Sequence, residues 1–347
     1  MAENTAISWA QDTFNPWEGC TRISPACDHC YAADRAHRFG NDHLWSGELR
    51  RTSAANWRKP LRWNREAEAA GTPRRVFCAS LADVFDNQAP QEWREDLWAL
   101  IEATPHLTWM LLTKRPQNIV KMTRRWWDTK EPGQEPRNIW LGITAEDQIR
   151  LGQRYDGLRE AWALFDWLLF LSAEPVLGPL RIDRINEYFD QVAGGHPGGD
   201  DRFDGCLTWA NGLTGELWGV DRYPDGREHH RPELGGRGEP KFGLVITGGE
   251  SGAQARPSHP EWFRSLRDQC AGAGVPFHFK QWGEWLPEGQ LDRAGFGWAP
   301  GLDGRVHWWQ AEPPVGQSLI DGHCSIKVGK HQAGHRLDGV EHVEMPA

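Results

Sequence analysis

The sequence lacks the features by which a membrane or secreted protein is usually recognised. No stretch approaches the roughly 18 consecutive apolar residues that a membrane-spanning helix needs. The amino-terminal residues MAENTAISWAQDTFNP contain no basic segment followed by an apolar run, so no secretory signal is readable. We therefore expect a cytoplasmic protein without a membrane partner.

Cysteine is scarce, and its number is odd. Seven cysteines in 347 residues do not form the even, dense set of a disulfide framework, and a cytoplasmic protein keeps its thiols reduced. Three of them, Cys20, Cys27 and Cys30, lie within eleven residues. The other four are scattered singly, as buried core cysteines are: Cys78, Cys206, Cys270 and Cys324.

An excess of positive charge is also missing. The net charge of −9 and the pI near 5.9 argue against a protein that coats nucleic acid non-specifically. Two segments, residues 50–65 and 114–125, are nevertheless basic and free of acidic residues, and tryptophans lie within or beside them. Two interpretations stay open. The segments are either solvated helix faces with inward tryptophans, or surfaces that hold phosphates and stack bases.

Short apolar runs, rich in β-branched and aromatic residues, recur along the chain. Near-continuous apolar runs of this length are typical of buried parallel strands, and helical patterns between them predict βαβ units. The first such run would be AISWA at 6–10. The others are RRVFCAS at 74–80, LTWMLL at 107–112, NIWLGI at 138–143, WLLFL at 167–171, FGLVIT at 242–247 and VPFHF at 275–279.

Polar residues follow nearly every one of these runs. Polar side chains at the carboxyl ends of many parallel strands are typical of the active-site mouth of a (β/α) barrel. We therefore predict an α/β protein with a partial or complete (β/α) barrel of parallel strands over residues 1–285. The strand-end residues are Ser80, Asp83, Thr113, Lys114, Arg115, Thr144, Glu146, Ser172, Glu174, Glu250, Ser251, Lys280 and Gln281.

Two parts of the chain break the alternation of strands and helices. Residues from about 185 to 240 are rich in glycine and predict a surface insertion, with a possible hairpin at WANGLTGELW, residues 209–218. This insertion would be a lid, a specificity loop or a segment without a role. Residues 286–347 predict an irregular carboxyl-terminal extension packed on the barrel.

The three clustered cysteines follow the first apolar run and are expected near the same edge of the sheet. Three thiolates on one loop suit two kinds of metal centre. A structural zinc site would recruit a fourth ligand, such as His37 or His43. A 4Fe–4S cluster held by three cysteines leaves one iron open to a small molecule. No fourth cysteine lies close by, and no second CxxC pair occurs, which favours the cluster.

Several motifs together resemble a phage-associated three-cysteine-motif family. They are WEGCTRISPACDHCYA, LLTKRP, LGITAED, SAEPVLGP, GGESGAQARP and FKQWGEW. The resemblance covers about residues 15 to 285 without the glycine-rich insertion. This family is similar to a divergent branch of the radical S-adenosylmethionine (SAM) enzymes. The resemblance implies a 4Fe–4S cluster on Cys20, Cys27 and Cys30, SAM on the open iron, and an electron donor for reductive cleavage of SAM.

The sequence also departs from the pattern of radical SAM enzymes. They usually space the cysteines as CxxxCxxC, whereas this chain has CxxxxxxCxxC. A Gly-Gly-Glu that often holds the SAM amino group is missing after the second strand, and we do not transfer its role to Gly248–Glu250.

Candidate roles follow from position for most residues, and for Tyr31 from the resemblance, since radical SAM enzymes often have an aromatic residue beside adenine just after the last cysteine. The predicted cofactor-binding residues are Tyr31, Ser80, Asp83, Thr144 and Glu146. Glu174 and Lys280 would form a structural ion pair or act in catalysis by holding a carboxylate of substrate or SAM. The predicted substrate-binding residues are Lys114, Arg115, Glu250 and Arg256, of which the two arginines suit a phosphate.

These observations predict a radical SAM-like iron–sulfur enzyme that acts on a nucleic-acid-related substrate. Two alternatives stay open. One is a zinc-stabilised nucleic-acid-binding module without catalysis, and the other is a radical SAM enzyme that acts on a peptide or small metabolite.

Overall fold

A computed structural model describes residues 3, 5–129, 136–190, 205–222, 228–233, 238–287, 290, 307–308 and 324–346. The strands of this part of the chain are, in order, β1 (Asp12–Thr13), β2 (Trp17–Glu18), β3 (Arg50–Arg51), β4 (Arg74–Cys78), β5 (Leu107–Thr113), β6 (Ile139–Thr144), β7 (Leu168–Ala173), β8 (Ile185–Asp190), β9 (Gly205–Asn211), β10 (Glu216–Arg222), β11 (Glu228–Glu233), β12 (Phe242–Gly248), β13 (Phe277–Gln281), β14 (Trp285–Pro287), β15 (His307–Trp308), β16 (Cys324–Lys327), β17 (Arg336–Leu337) and β18 (Val340–Glu341).

The helices of the described residues lie mainly between the strands of the largest sheet. No helix in this part of the protein is long and apolar enough to cross a membrane. The α-helices are α1 (Tyr31–Arg38), α2 (Ala54–Trp57), α3 (Lys59–Ala70), α4 (Gln91–Glu102), α5 (Ile119–Trp127), α6 (Gln148–Leu164), α7 (Pro260–Ala273) and α8 (Lys330–Ala333).

Seven strands form one parallel sheet in the order β1-β4-β5-β6-β7-β12-β13. The sheet curves into an open half-barrel that is flanked by helices. The predicted partial (β/α) barrel is therefore confirmed. Because all seven strands run in the same direction, their carboxyl ends share one edge, which we call the carboxyl edge.

The first strand of the sheet is not where the apolar pattern predicts it. Residues 6–10 do not form a strand, and the sheet begins instead with β1, which pairs with β4. Asp12 in β1 is buried and forms an ion pair with Arg74 of β4, so its negative charge is neutralised within the sheet. Trp9, from the predicted strand, lies inside the half-barrel against Phe77.

The two faces of the sheet bury separate groups of side chains, because successive residues of a strand point to opposite faces. The helix-facing side belongs to the main core, which includes Val76, Trp109, Leu141, Leu169 and Val245. The concave face holds a smaller core of Trp9, Ala10, Phe77, Met110, Phe170, Leu244 and Ile246. Gly142 leaves space for one of these rings, since a Cβ there would lie 2.3 Å from Phe170.

The predicted insertion contains an antiparallel sheet in the order β11-β10-β9-β8. The predicted hairpin is confirmed, since β9 and β10 pair antiparallel with Asn211 opposite Glu216. The turn is anchored to the barrel, because the Gly212 N–H donates to the carbonyl of Ile182 at 2.9 Å. Residues 191–204, 223–227 and 234–237 of the predicted insertion lie outside the described residues.

The described carboxyl-terminal residues contact the barrel at two places. Asp338 accepts hydrogen bonds from Arg264 and Arg267 of α7, at 2.7 and 2.9 Å. On β13, the last strand of the sheet, the Phe279 N–H donates to the carbonyl of His342 at 2.9 Å. Residues 342–343 thus lie along the outer edge of β13. The rest of the predicted extension, residues 288–289, 291–306, 309–323 and 347, is outside the described part.

Candidate metal and cofactor site

The three clustered cysteines lie on a loop at the carboxyl edge, which we call the three-cysteine loop (residues 20–30). Cys20 follows β2, Cys27 ends a 3-10 helix, and Cys30 directly precedes α1. All three thiols are free and partly exposed. Groups that follow β4, β5, β6 and β12 contact this loop or Tyr31 directly after it. The loop therefore lies across the ends of four strands.

Arg115, which follows β5, holds the Cys20 end of the loop. Its Nη1 lies 3.6 Å from the Cys20 sulfur and 3.2 Å from an Asp83 oxygen. Its Nη2 donates to the carbonyl and hydroxyl oxygens of Thr21 at 3.0 and 2.9 Å, and lies 3.1 Å from Asp86. The side chain is 6% exposed. Both terminal nitrogens of the guanidinium therefore already bind protein groups. This arrangement does not support the predicted contact of Arg115 with a substrate phosphate.

The same arginine affects the ionisation of Cys20. Burial raises the pKa of Cys20 to about 11, and the negative charge of Asp83 acts in the same direction. The positive charge of Arg115 and its hydrogen bond lower the pKa. A cysteine binds metal as the thiolate, so Arg115 favours the ligating form of Cys20.

Glu146, which follows β6, holds the middle of the loop. One carboxylate oxygen accepts the Ala26 N–H at 3.3 Å, and the other accepts Nη1 of Arg154 at 2.6 Å. Burial alone would raise the pKa of Glu146, but the charge and hydrogen bond of Arg154, with bonds from Ser24 and Ala26, outweigh it. The net pKa lies below its usual range, so Glu146 is ionised. This carboxylate is fully buried, and its observed partners are protein groups.

Glu250, which follows β12, holds the Cys27 and Cys30 end through Arg256. The Arg256 Nε donates to Glu250 at 2.9 Å, and its Nη2 donates to the carbonyl of Pro25 at the same distance. Nδ1 of His29, between the two cysteines, donates to Glu250 at 3.2 Å. Arg256 also pairs with Asp28. Glu250 and Arg256, two of the four predicted substrate-binding residues, thus contact the loop itself.

The stretch between the first two cysteines makes three of these contacts. Six residues separate Cys20 from Cys27. Thr21 accepts from Arg115, Pro25 accepts from Arg256, and Ala26 donates to Glu146. Three of the six residues between these cysteines therefore dock the loop at the ends of strands.

Tyr31 and Ser80 are predicted cofactor-binding residues that the structure brings together. The Tyr31 hydroxyl donates to the Ser80 carbonyl at 2.7 Å. Nδ2 of buried Asn15 donates to the Ser80 hydroxyl at 3.0 Å, which fixes the turn after β4. Tyr31 is 55% exposed, so its ring is accessible beside Cys30 while its hydroxyl is anchored.

Glu174 and Lys280 form the predicted ion pair between the ends of β7 and β13. Their charged atoms lie 2.9 Å apart, and both side chains are partly exposed. Gly248 stands beside them, and a Cβ there would lie 2.9 Å from the Glu174 carboxylate. The glycine therefore leaves room for this pair at the mouth of the half-barrel.

The other predicted site residues serve the surrounding network. The Lys114 N–H donates to Asp83 at 3.0 Å, and the Thr144 carbonyl accepts from Arg154 at 2.6 Å. Sequence reasoning missed Asp86, Arg154 and His29. Of these three, only Arg154 could have been found from the sequence, because it is a charged residue on the buried face of α6.

The three-cysteine loop carries the donor set of a three-thiolate metal centre. Three free, partly exposed thiols on one docked loop supply the donor atoms that an iron–sulfur cluster requires. Among the described residues, however, no three His, Cys, Asp or Glu side chains are already gathered closely enough to hold a metal. The three thiols therefore fit such a centre in donor chemistry and in sharing one loop, but among the described residues their side chains are not gathered into a metal site.

The tryptophans of the two basic segments mostly pack inward. Trp63 and Trp126 are buried, and Trp127 packs edge-on against Phe165. Arg51 lies over Trp57 at 4.5 Å and pairs with Asp96. These tryptophan faces are occupied by protein groups, which favours the interpretation as solvated helix faces.

Together, these features define an α/β half-barrel protein with a three-cysteine loop docked on its carboxyl edge. Residues 4–346 match the model of a family described as "Protein of unknown function (DUF5131)", and the chain belongs to that family. No curated protein and no solved structure matches the chain.

Proposed function

We propose that the protein is a radical SAM-like iron–sulfur enzyme that acts on a nucleic-acid-related substrate. One observation carries this proposal. Three free thiols lie on a single loop that is docked across the carboxyl edge of a parallel half-barrel. When bound there, a 4Fe–4S cluster on three thiolates would leave one iron to bind SAM, and reductive cleavage of SAM would supply a 5′-deoxyadenosyl radical.

The residues around the loop would hold the three cysteines in register. Arg115, Glu146 and Glu250 come from three strand ends, and each contacts a different part of the loop. Because these three groups are buried and charged, their positions are restricted by the partners that neutralise them. Such outer contacts orient ligands and tune the centre that the ligands bind.

Glu174 and Lys280 would orient a group that carries both charges. Their carboxylate and ammonium lie side by side at the mouth, where they complement an amino-acid moiety such as that of SAM. Tyr31 presents its ring beside Cys30, where it would stack on a base. We assign Tyr31, Glu174 and Lys280 to the binding of cofactor and substrate.

The surface of α1 supports a nucleic-acid-related substrate better than the two basic segments do. Tyr31 and Phe39 are 55% and 64% exposed at its two ends, Arg38 is exposed, and Arg35 lies over one face of the Phe39 ring at 5.3 Å. Exposed aromatic rings beside arginines suit stacking of unpaired bases and contact with phosphates. This surface is adjacent to Cys30.

We expect Phe39→Ala to weaken binding of a single-stranded oligonucleotide about fivefold or more, because stacking on one aromatic ring contributes roughly 1–3 kcal/mol. Fluorescence anisotropy at fixed low salt would measure the dissociation constant. Ile149→Ala is the control, since Ile149 is equally exposed, at 62%, but lies on α6. Equal binding by wild type and Phe39→Ala would remove this surface from the substrate site.

Anaerobic purification and metal analysis test the proposed function. We expect brown protein with about four irons and four sulfides per chain, which after reduction converts SAM to 5′-deoxyadenosine and methionine. Colourless protein with one zinc would instead support the zinc-stabilised binding module. A fully loaded 4Fe–4S protein that neither binds nor cleaves SAM would contradict the radical chemistry.

A further inference from the structure

Arg115 is held in a fixed position next to a proposed cluster ligand. Its two acidic partners, Asp83 and Asp86, are buried with it. Asp83 is fixed in turn, since it accepts from the Thr113 hydroxyl at 2.8 Å and from the N–H groups of Lys114 and Phe85 at 3.0 and 2.9 Å. The guanidinium therefore has little freedom to turn away.

The guanidinium contacts Cys20 and Thr21, the first two residues of the loop. Nη1 lies 3.6 Å from the Cys20 sulfur, within the range of an N–H···S hydrogen bond. Nη2 donates to both Thr21 oxygens, which holds the backbone on the other side of the cysteine. Loss of Arg115 would therefore free the sulfur from its charged donor and release the adjacent backbone.

The charge of this donor matters for a redox centre. Reduction adds one electron and no proton, so negative charge increases at the ligand sulfurs. A cation that donates to one of these sulfurs stabilises the reduced state more than the oxidised state, and thereby raises the reduction potential. Asp83 and Asp86 have the opposite effect, and Arg115 lies between them and the sulfur.

We infer that Arg115 is a positioning residue that raises the reduction potential of the cluster bound through Cys20. This role rests on the proposed function, because it requires a cluster at the three cysteines. It differs from the predicted role of Arg115 as a phosphate-binding residue. It also assigns Asp83, together with Asp86, to fixing the guanidinium, which differs from the predicted cofactor-binding role of Asp83.

The test compares Arg115→Gln with Arg159→Gln in the full-length reconstituted protein. Arg159 is the control, because its substitution removes the same charge from α6, where Arg159 pairs with Glu239 and Asp156 rather than with the three-cysteine loop. A redox titration with dithionite as the electron source, followed by electron paramagnetic resonance, would give the midpoint potential. We expect a lower potential for Arg115→Gln and an unchanged potential for Arg159→Gln.

Asp86→Asn provides a second measurement if Arg115→Gln fails to fold. It removes one negative charge and leaves Arg115 with Asp83, so we expect the potential to rise. An unchanged potential in loaded Arg115→Gln or in Asp86→Asn would overturn the role of Arg115. Wild-type protein that assembles no cluster would overturn the proposed function itself, so the two failures are distinguishable by the iron content of the wild type.

Discussion

Replacing any one of Cys20, Cys27 or Cys30 by alanine should abolish SAM cleavage and reduce bound iron to a small fraction of the wild-type content. Two thiolates cannot hold a 4Fe–4S cluster in the geometry that three provide, and no fourth cysteine lies on the loop. Iron and sulfide analysis after anaerobic reconstitution would measure the first effect. Chromatographic detection of 5′-deoxyadenosine would measure the second.

Cys270→Ala is the matched control for these variants. Cys270 lies on the buried face of α7 among apolar neighbours, and burial raises its pKa to about 12, so it remains a neutral thiol. We expect wild-type iron content in this variant, with a modest loss of stability. Loss of the cluster in Cys270→Ala would show that the ligand set is wrongly chosen.

Gly249→Ala should lower the free energy of unfolding by about 3 kcal/mol, at the upper end of the usual cost of overpacking. A Cβ on Gly249 would lie 1.8 Å from the carbonyl oxygen of Trp282, and that backbone cannot give way easily. The facing segment is also close, since a Cβ on Gly283 would lie 2.1 Å from the carbonyl oxygen of Glu250. Urea unfolding followed by tryptophan fluorescence would measure the change.

This variant should also lose iron, because Glu250 follows the substituted residue and holds the loop through His29 and Arg256. Gly272→Ala on α7 is the control, since nothing lies within 4 Å of a Cβ there. Alanine is the better helix former, so this control should stabilise the protein by about 0.5–1 kcal/mol. Wild-type stability in Gly249→Ala would contradict the close backbone contact described here.

Most of the sheet could be predicted from the sequence, because its strands are buried on both faces and therefore read as continuous apolar runs. The run at 74–80 contains β4, and the run at 242–247 lies within β12. β1 could not be predicted in this way. Its Asp12 is stabilised by Arg74, which is distant in sequence, and no apolar pattern marks a strand of two residues.

The location of the site was also predictable, but its internal partners were not. Parallel strands place their carboxyl ends together, so Ser80, Glu146 and Glu250 were expected near the cysteines. Whether such a side chain is available to a ligand depends on whether protein groups already bind it. Glu146 is neutralised by Arg154 from α6, and Arg115 by two aspartates after β4. Such pairs form only when the helices pack.

The contact of residues 342–343 with the outer edge of β13 has a consequence during synthesis on the ribosome. A nascent chain that has already formed the seven-stranded sheet carries an uncovered strand until these residues emerge. An uncovered strand edge is a template for pairing with another polypeptide. A chain truncated before residue 342 would keep this edge permanently open, so it should aggregate even if every residue of the three-cysteine loop and its supports is present.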